Sequence, residues 1–218
     1  QFPDTASNSV IPLTWVEQAR ERQHTTDSRL WAGLDVARFG SDDSALIEGT
    51  GNGPESATIV HGQDTMQVAG MGMAYLNRWR GTLAVDVIGV GGGVVDRIRE
   101  QKPPGQLVAV NVAESSDRDP DLMSNLRAQL WWDVRKALAP TSDEPLSLAR
   151  LDDHTYQRLR SELTAPTYRM TSSGKVQIES KDEMKARGLP SPDLADAFCL
   201  ALYARSRARR RVTFGAAA

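Results

Sequence analysis

Arg29-Leu30-Trp31-Ala32-Gly33-Leu34-Asp35-Val36-Ala37-Arg38-Phe39-Gly40-Ser41-Asp42-Asp43-Ser44-Ala45-Leu46-Ile47-Glu48 decides how this chain is organised. Residues 29–36 read as a strand that carries Asp35 to its carboxyl end. Residues 37–43 are polar, contain Gly40 and read as a turn, and residues 44–48 resume as a second strand. Residues 49–55 form another turn through Gly51-Asn52-Gly53-Pro54, ahead of a third strand near 57–61. Three strands joined by two short turns make an antiparallel meander.

Downstream the period changes. Residues 65–80 have helical spacing, with Val68, Met71, Met73, Tyr75, Leu76 and Trp79 on or near one face. Residues 82–89 are continuously apolar except for Asp86, the pattern of a strand buried on both faces of a parallel sheet. A helix over 94–101 ends at Pro103-Pro104-Gly105, and 107–112 is a further buried strand. A long helix is predicted over 120–138, with Leu126, Leu130, Trp131 and Val134 inward, and a shorter one over 155–163. Residues 168–170 and 176–179 flank Thr171-Ser172-Ser173-Gly174 as a hairpin, and 192–209 form a final helix. At the other end, Leu13, Val16 and Ala19 mark a short amphipathic helix with Thr14 as its cap. The alternation predicts an α/β fold: a mixed β-sheet, antiparallel meander plus parallel strands, flanked by helices.

With 218 residues, 40% of them hydrophobic, the chain has enough core to fold without a covalent or metal staple. One cysteine, Cys199, excludes an internal disulfide framework. Three scattered histidines and that cysteine exclude a zinc site of Cys/His type. No apolar run approaches the roughly 20 residues of a membrane span. The net charge is −2, yet residues 201–218 hold five arginines and no acid. The remainder has 21 basic against 28 acidic residues, so an acidic body of charge −7 carries a basic tail. The chain opens on Gln1, and its closing Gly215-Ala216-Ala217-Ala218 resembles a vector remnant, so a piece of a longer protein is expected.

The chemistry lies in acids placed inside apolar runs. Asp35 and Asp86 interrupt hydrophobic strands, and Asp193 and Asp196 lie one helical turn apart in Pro192-Asp193-Leu194-Ala195-Asp196-Ala197-Phe198. An ionised carboxylate in such surroundings is expensive unless donors or cations replace its lost water. Each acid alone is equally well explained by an arginine partner or a helix cap. If the strands of Asp35 and Asp86 are neighbours, however, the two stand side by side at the sheet's rim, and a crossing helix aims Asp193 or Asp196 at the same point. Like charges so close persist where divalent cations neutralise them. All-oxygen ligands suit Mg2+ or Mn2+, and a pair of such ions serves phosphodiester hydrolysis.

The stretch 33–45, the Asp86 strand and Ser191-Pro192-Asp193-Leu194-Ala195-Asp196-Ala197 together resemble the nuclease domain of the large terminase subunit of tailed bacteriophages, over residues 28–204. The resemblance implies a ribonuclease H-like fold and an endonuclease that cleaves double-stranded viral DNA during genome packaging, with Mg2+ or Mn2+ as cofactor, two ions in all. Asp35 matches the first catalytic acid, Asp86 the second, and the Asp193/Asp196 pair the third, with the direct ligand of that pair left open. Asp43, or less readily Asp42, would add an accessory metal ligand. The hairpin with Arg169 and Lys175 matches the one bordering the DNA groove, and Arg205, Arg207 and Arg209 are further candidates for phosphate contact. Residues 1–28 match the linker and end of an ATPase half, 29–209 the nuclease, and 210–218 a basic tail end. Partners implied are that ATPase half, portal and small terminase subunit, in the host cytoplasm and with no membrane.

Other signals fit less. Gly89-Val90-Gly91-Gly92-Gly93-Val94 invites a dinucleotide-binding reading, but the third glycine position is Val94 and no acid near 110 takes a ribose hydroxyl. Glycines that keep bulk from Asp86, or amides that bind a phosphate, suit it better. Ser173-Gly174-Lys175-Val176 lacks the first glycine and the hydroxyl residue of a phosphate-binding loop, so ATP hydrolysis is not expected. Of Trp131 and Trp132 one is core and the other at an interface. Asp152-Asp153-His154 reads as a helix cap. A Holliday-junction resolvase or transposase, and a non-catalytic DNA-gripping module, remain the alternatives, and no base-reading element is visible.

Overall fold

Five strands form one twisted sheet in the computed structural model, which describes residues 8–37 and 42–208. They are β1 (Leu30–Asp35), β2 (Asp43–Thr50), β3 (Gly53–His61), β4 (Thr82–Asp86) and β5 (Gln106–Val110), in the order β3-β2-β1-β4-β5. β1, β2 and β3 pair antiparallel, as the meander pattern requires, while β4 joins β1 in parallel and β5 joins β4 in parallel. The mixed α/β sheet expected from the sequence is therefore the observed one. Each parallel partner returns through a helix, α2 (Thr65–Trp79) before β4 and α3 (Gly91–Glu100) before β5.

Strand alternation sorts the core into two layers. Ala32, Leu34, Leu46, Leu83 and Val85 face α2 and α3. Trp31, Ala45, Ile47, Ala84 and Val110 face the opposite side. There they meet α1 (Leu13–Glu21), α4 (Leu126–Leu138), α5 (Asp153–Thr164) and α7 (Asp193–Arg207). Phe198 and Trp131 are fully buried in this larger layer. α7 lies directly on β1, because a Cβ at Gly33 would sit 2.1 Å from the Ala197 carbonyl oxygen. Glycine at that one position lets the helix backbone touch the strand backbone.

Several expected boundaries shift for local reasons. The helix predicted over 120–138 starts at Leu126, since the Asn125 side chain caps it by accepting the Ala128 N–H at 2.9 Å. The preceding residues instead bridge Met123 to Val176. α3 starts at Gly91, so its glycines are the helix's first turn rather than a loop. α1 follows Pro12, leaving Thr14 inside the helix and no side chain capping it. The predicted turn at 49–55 shrinks to Gly51 and Asn52, with Gly51 at φ +55°. The hairpin forms as β6 (Tyr168–Met170) and β7 (Val176–Ile178).

One helix has no counterpart in the sequence reading. α6 (Lys181–Ala186) is nucleated by a capping box in which Ser180 and Glu183 satisfy each other's backbone donors. Within the stretch 1–28, read as an entry segment, the described part packs on the sheet's larger core layer: Val10, Ile11, Val16 and Ala19 are fully buried. Of the two tryptophans, Trp131 is core, and Trp132 packs edge-on against Tyr168 of the hairpin at 5.3 Å. Asp152 caps α5 by accepting the Thr155 N–H, the helix cap expected at that cluster. No helix among the described residues is long and apolar enough to cross a membrane. Arg38 to Ser41 of the opening stretch, and Arg209 with the rest of the tail, lie outside the described residues.

Candidate metal centre

Pleat parity and register bring the first two acids together. Asp35 follows Trp31 and Gly33 on the α7-facing side of β1, and Asp86 follows Ala84 on the same side of β4. Leu34 pairs with Val85, so Asp35 and Asp86 are the next residues along two parallel neighbours, at their carboxyl ends. α7 crosses this rim with its first turn, held against Gly33, and so delivers Asp193 and Asp196 to the same place. Asp35 is 7% exposed and Asp193 3%. A cleft of about 510 Å³ opens beside them, lined by Asp35, Asp86, Arg127, Trp131, Lys181 and Asp196.

The acids converge on a cation that the sequence reading missed. Lys181, the first residue of α6, places Nζ 3.0 Å from Asp35 Oδ2, 3.1 Å from Asp193 Oδ1 and 3.3 Å from Asp196 Oδ2. Burial opposes its charge, but Asp35, Asp196 and Asp193 outweigh burial and hold the ammonium above the usual lysine range. For Asp35 burial dominates, and with the neighbouring Asp196 and Asp193 charges it pushes the carboxyl up to about 7 despite Lys181. Burial also raises Asp86, although it accepts the Ile88 N–H at 3.1 Å and a further backbone bond from Val112. Asp196 moves the other way: burial is outweighed by Arg127, Lys181 and the Trp131 N–H, which keep it ionised.

The donor set fits a hard divalent cation. Four carboxylates face two cationic side chains, Lys181 and Arg127, which leaves a surplus of negative charge in a mostly buried site. The Lys181 ammonium draws three of these carboxylates onto one point. Among the described residues no group of three or more His, Cys, Asp or Glu side chains is arranged to hold a metal ion.

The remaining sequence candidates are placed unevenly. Asp43 turns both carboxylate oxygens away from this point, Oδ1 to His61 Nδ1 and Oδ2 to Arg158 Nη2, each at 2.9 Å. Its backbone N–H donates to Asp193 Oδ2 at 2.8 Å, so it braces an acid of the site. Asp42 pairs with Lys185 at 2.9 Å. On the hairpin, Arg169 reaches Glu183 at 2.6 Å and Lys175 the Pro120 carbonyl at 2.6 Å. Arg205 and Arg207 sit at the far end of α7, roughly 13–17 Å from Asp196 along the axis at 1.5 Å per helical residue. Arg205 is spent internally on the Gly51 carbonyl and Glu144, and Arg207 on Asp117 and the Tyr203 ring.

Lys181 gave no signal in its own neighbourhood: Ser180-Lys181-Asp182-Glu183 reads as any polar surface. Arg127 and Trp131 were equally silent, the first as a helix cation and the second as core. An acid-rich cluster in need of a counter-charge was the only available hint, and it does not say which lysine or arginine answers.

No protein-family model and no curated protein matches the sequence. Solved structures do match by shape. The nuclease domain of the large terminase subunit gp2 of bacterial virus Sf6 superposes with a TM-score of 0.79 at 21% identity, covering 89% of this chain and 98% of that one. A lysine-to-alanine variant of the same domain with manganese gives 0.77 at 19% identity over the same shares. The large terminase nuclease of thermophilic phage G20c with bound magnesium gives 0.63 at 17%, covering 91% and 98%. This chain therefore has the ribonuclease H-like fold that those terminase nuclease domains share, with its acidic cluster at the carboxyl ends of the sheet's central parallel strands.

Proposed function

We propose that this chain is the metal-dependent endonuclease domain of a tailed-phage large terminase, cutting double-stranded DNA during genome packaging. The observation that carries the reading is the convergence of Asp35, Asp193 and Asp196 on one cationic point, with Asp86 beside Asp35 at the rim. In this reading Asp35, Asp86 and the 193/196 pair hold Mg2+ or Mn2+, two ions in all, and Asp43 supports them by bracing Asp193. Bound there, the cations would supply an activated water and charge neutralisation at the scissile phosphate. The chain's own work is to hold its carboxylates in a half-dry cleft, where their pull on a cation is strong. Lys181 competes for the same oxygens and has to give way for a cation to bind. The metal-bearing terminase nuclease structures that share the fold support the reading.

Arg169 and Lys175, on the hairpin beside the cleft, are proposed to contact the DNA backbone. The entry segment would follow an ATPase half in the same polypeptide, with portal and small terminase subunit as partners in the host cytoplasm.

Nicking of supercoiled plasmid with Mn2+ tests the reading, with Asp35→Asn and Asp86→Asn as controls. Wild-type cleavage that both variants lose by about 100-fold or more is expected. Cleavage unchanged in Asp35→Asn sinks the nuclease assignment, and a strong preference for four-way junctions over linear duplex points to a resolvase instead.

A further inference from the structure

α4 carries two side chains that end on a single oxygen of the site. Trp131, fully buried, donates Nε1–H to Asp196 Oδ1 at 2.8 Å. Arg127 stands four residues earlier, hence on the same helix face, and its Nη2 approaches the same Oδ1 at 3.3 Å. The guanidinium is not free to follow Asp196 elsewhere. Its Nη1 donates to the Glu179 carbonyl at 2.8 Å, just ahead of Ser180 and Lys181. The Arg127 backbone N–H donates to the Val112 carbonyl at 2.8 Å, and the Val112 N–H in turn bonds Asp86. One residue thus ties the helix of Trp131 to the segment carrying Lys181 and to the strand end beside Asp86.

The two oxygens of Asp196 are left unequal. Oδ1 takes both donors, while Oδ2 is buried and, among the described residues, is met by the Lys181 ammonium at 3.3 Å and by no closer donor. Asp193, the other acid of the pair, has no such vacancy. Ser191 Oγ and Lys181 Nζ occupy its Oδ1, at 2.6 and 3.1 Å, and the Asp43 N–H its Oδ2. A buried carboxylate oxygen met by one long ammonium contact is poorly satisfied, and a bound ion is one of the ways such an oxygen becomes satisfied.

We propose that Trp131 and Arg127 are positioning residues: a two-donor clamp that fixes Asp196 by Oδ1 and presents Oδ2 to the divalent cation. The proposal rests on the metal-site reading above. Outer donors that orient a ligating carboxylate hold its geometry before the ion arrives, and losing one typically costs 10–100-fold in metal affinity. The neutral indole N–H contributes direction, and the guanidinium contributes charge and an anchor to Glu179. The two are therefore not interchangeable with a lysine at 127, which carries the charge but cannot bridge both partners.

Isothermal titration of the metal-free chain with Mn2+ tests the clamp. Wild type is compared with Trp131→Phe, which keeps the ring and removes the donor, and with Arg127→Gln and Arg127→Lys. Each variant is expected to bind about 10-fold or more weakly, with Arg127→Lys still impaired. Wild-type binding with unchanged affinity in Trp131→Phe and Arg127→Gln overturns the clamp alone, as does full recovery in Arg127→Lys, which would reduce the effect to charge. No binding by wild type overturns the metal site and the clamp together. A second measurement avoids dependence on variant folding: the Trp131 indole N–H signal of wild type, followed by NMR as Mg2+ is added. It is expected to shift while staying protected from exchange, and a signal that ignores Mg2+ while the ion binds counts against the clamp.

Discussion

Lys181 Nζ lies 3.0 Å from Asp35 Oδ2, so the first acid of the sheet's rim is paired with the first residue of a six-residue helix 146 positions away. Two consequences follow from removing that lysine. Lys181→Ala strips a competing charge from the oxygens proposed to hold metal, so Mn2+ affinity measured by calorimetry should rise by about 10-fold. It also leaves three buried carboxylates with less counter-charge. Breaking a buried pair costs about 3–5 kcal/mol, and with a third of the Lys181 side chain in solvent about 2 kcal/mol is expected. Thermal melts without and with Mn2+ should show the loss in the first case and its recovery in the second.

Asp35 gives the metal-free chain a stability that depends on pH. Its carboxyl sits near 7 in the native state, against about 3.9 when unfolded. Between those values the native chain holds a proton that the unfolded chain has lost, so stability from this group is present at low pH and declines as pH rises to about 7. Metal-free melting temperature should therefore fall from pH 5 to pH 7.5, with a shallower slope in Asp35→Asn. Equal slopes in the two proteins would show that Asp35 titrates normally.

Gly33 controls the distance between α7 and β1. An alanine there would drive its Cβ into the Ala197 carbonyl at 2.1 Å and the Ala201 nitrogen at 2.3 Å. Gly33→Ala should destabilise the chain by about 1–3 kcal/mol through overpacking, read from urea denaturation. The helix displacement should also separate Asp193 and Asp196 from Asp35, so cleavage falls further than stability alone explains.

Arg169 and Lys175 are expected to report on the DNA backbone. Each removal to alanine should lower the slope of log affinity against log salt by about 0.9, the value for one neutralised phosphate contact. Arg205→Ala should leave that slope unchanged, because its guanidinium lies at the other end of α7, bonded to Gly51 and Glu144, away from the cleft that the hairpin borders. Binding isotherms across salt concentrations distinguish the two groups.

The sequence by itself determined the sheet's composition and two of the site's acids. Asp35 and Asp86 were legible because a charge inside an apolar strand is costly, and a costly residue at a strand end advertises a purpose. Strand parity then fixed their side of the sheet. Asp193 and Asp196 were legible as a pair for the same reason, though helical spacing alone could not rank them. Only tertiary structure decided that Asp193 has both oxygens hydrogen-bonded while Asp196 leaves Oδ2 to a long contact with the Lys181 ammonium. It alone selected Lys181, Arg127 and Trp131 as their partners, and turned Asp43 toward His61 and Arg158. The physical reason is separation along the chain. Burial and periodicity are local properties written in neighbouring residues, whereas a counter-charge is chosen by where α4 and α6 come to rest on the sheet, 65–69 positions and 15 positions from the acid each one serves.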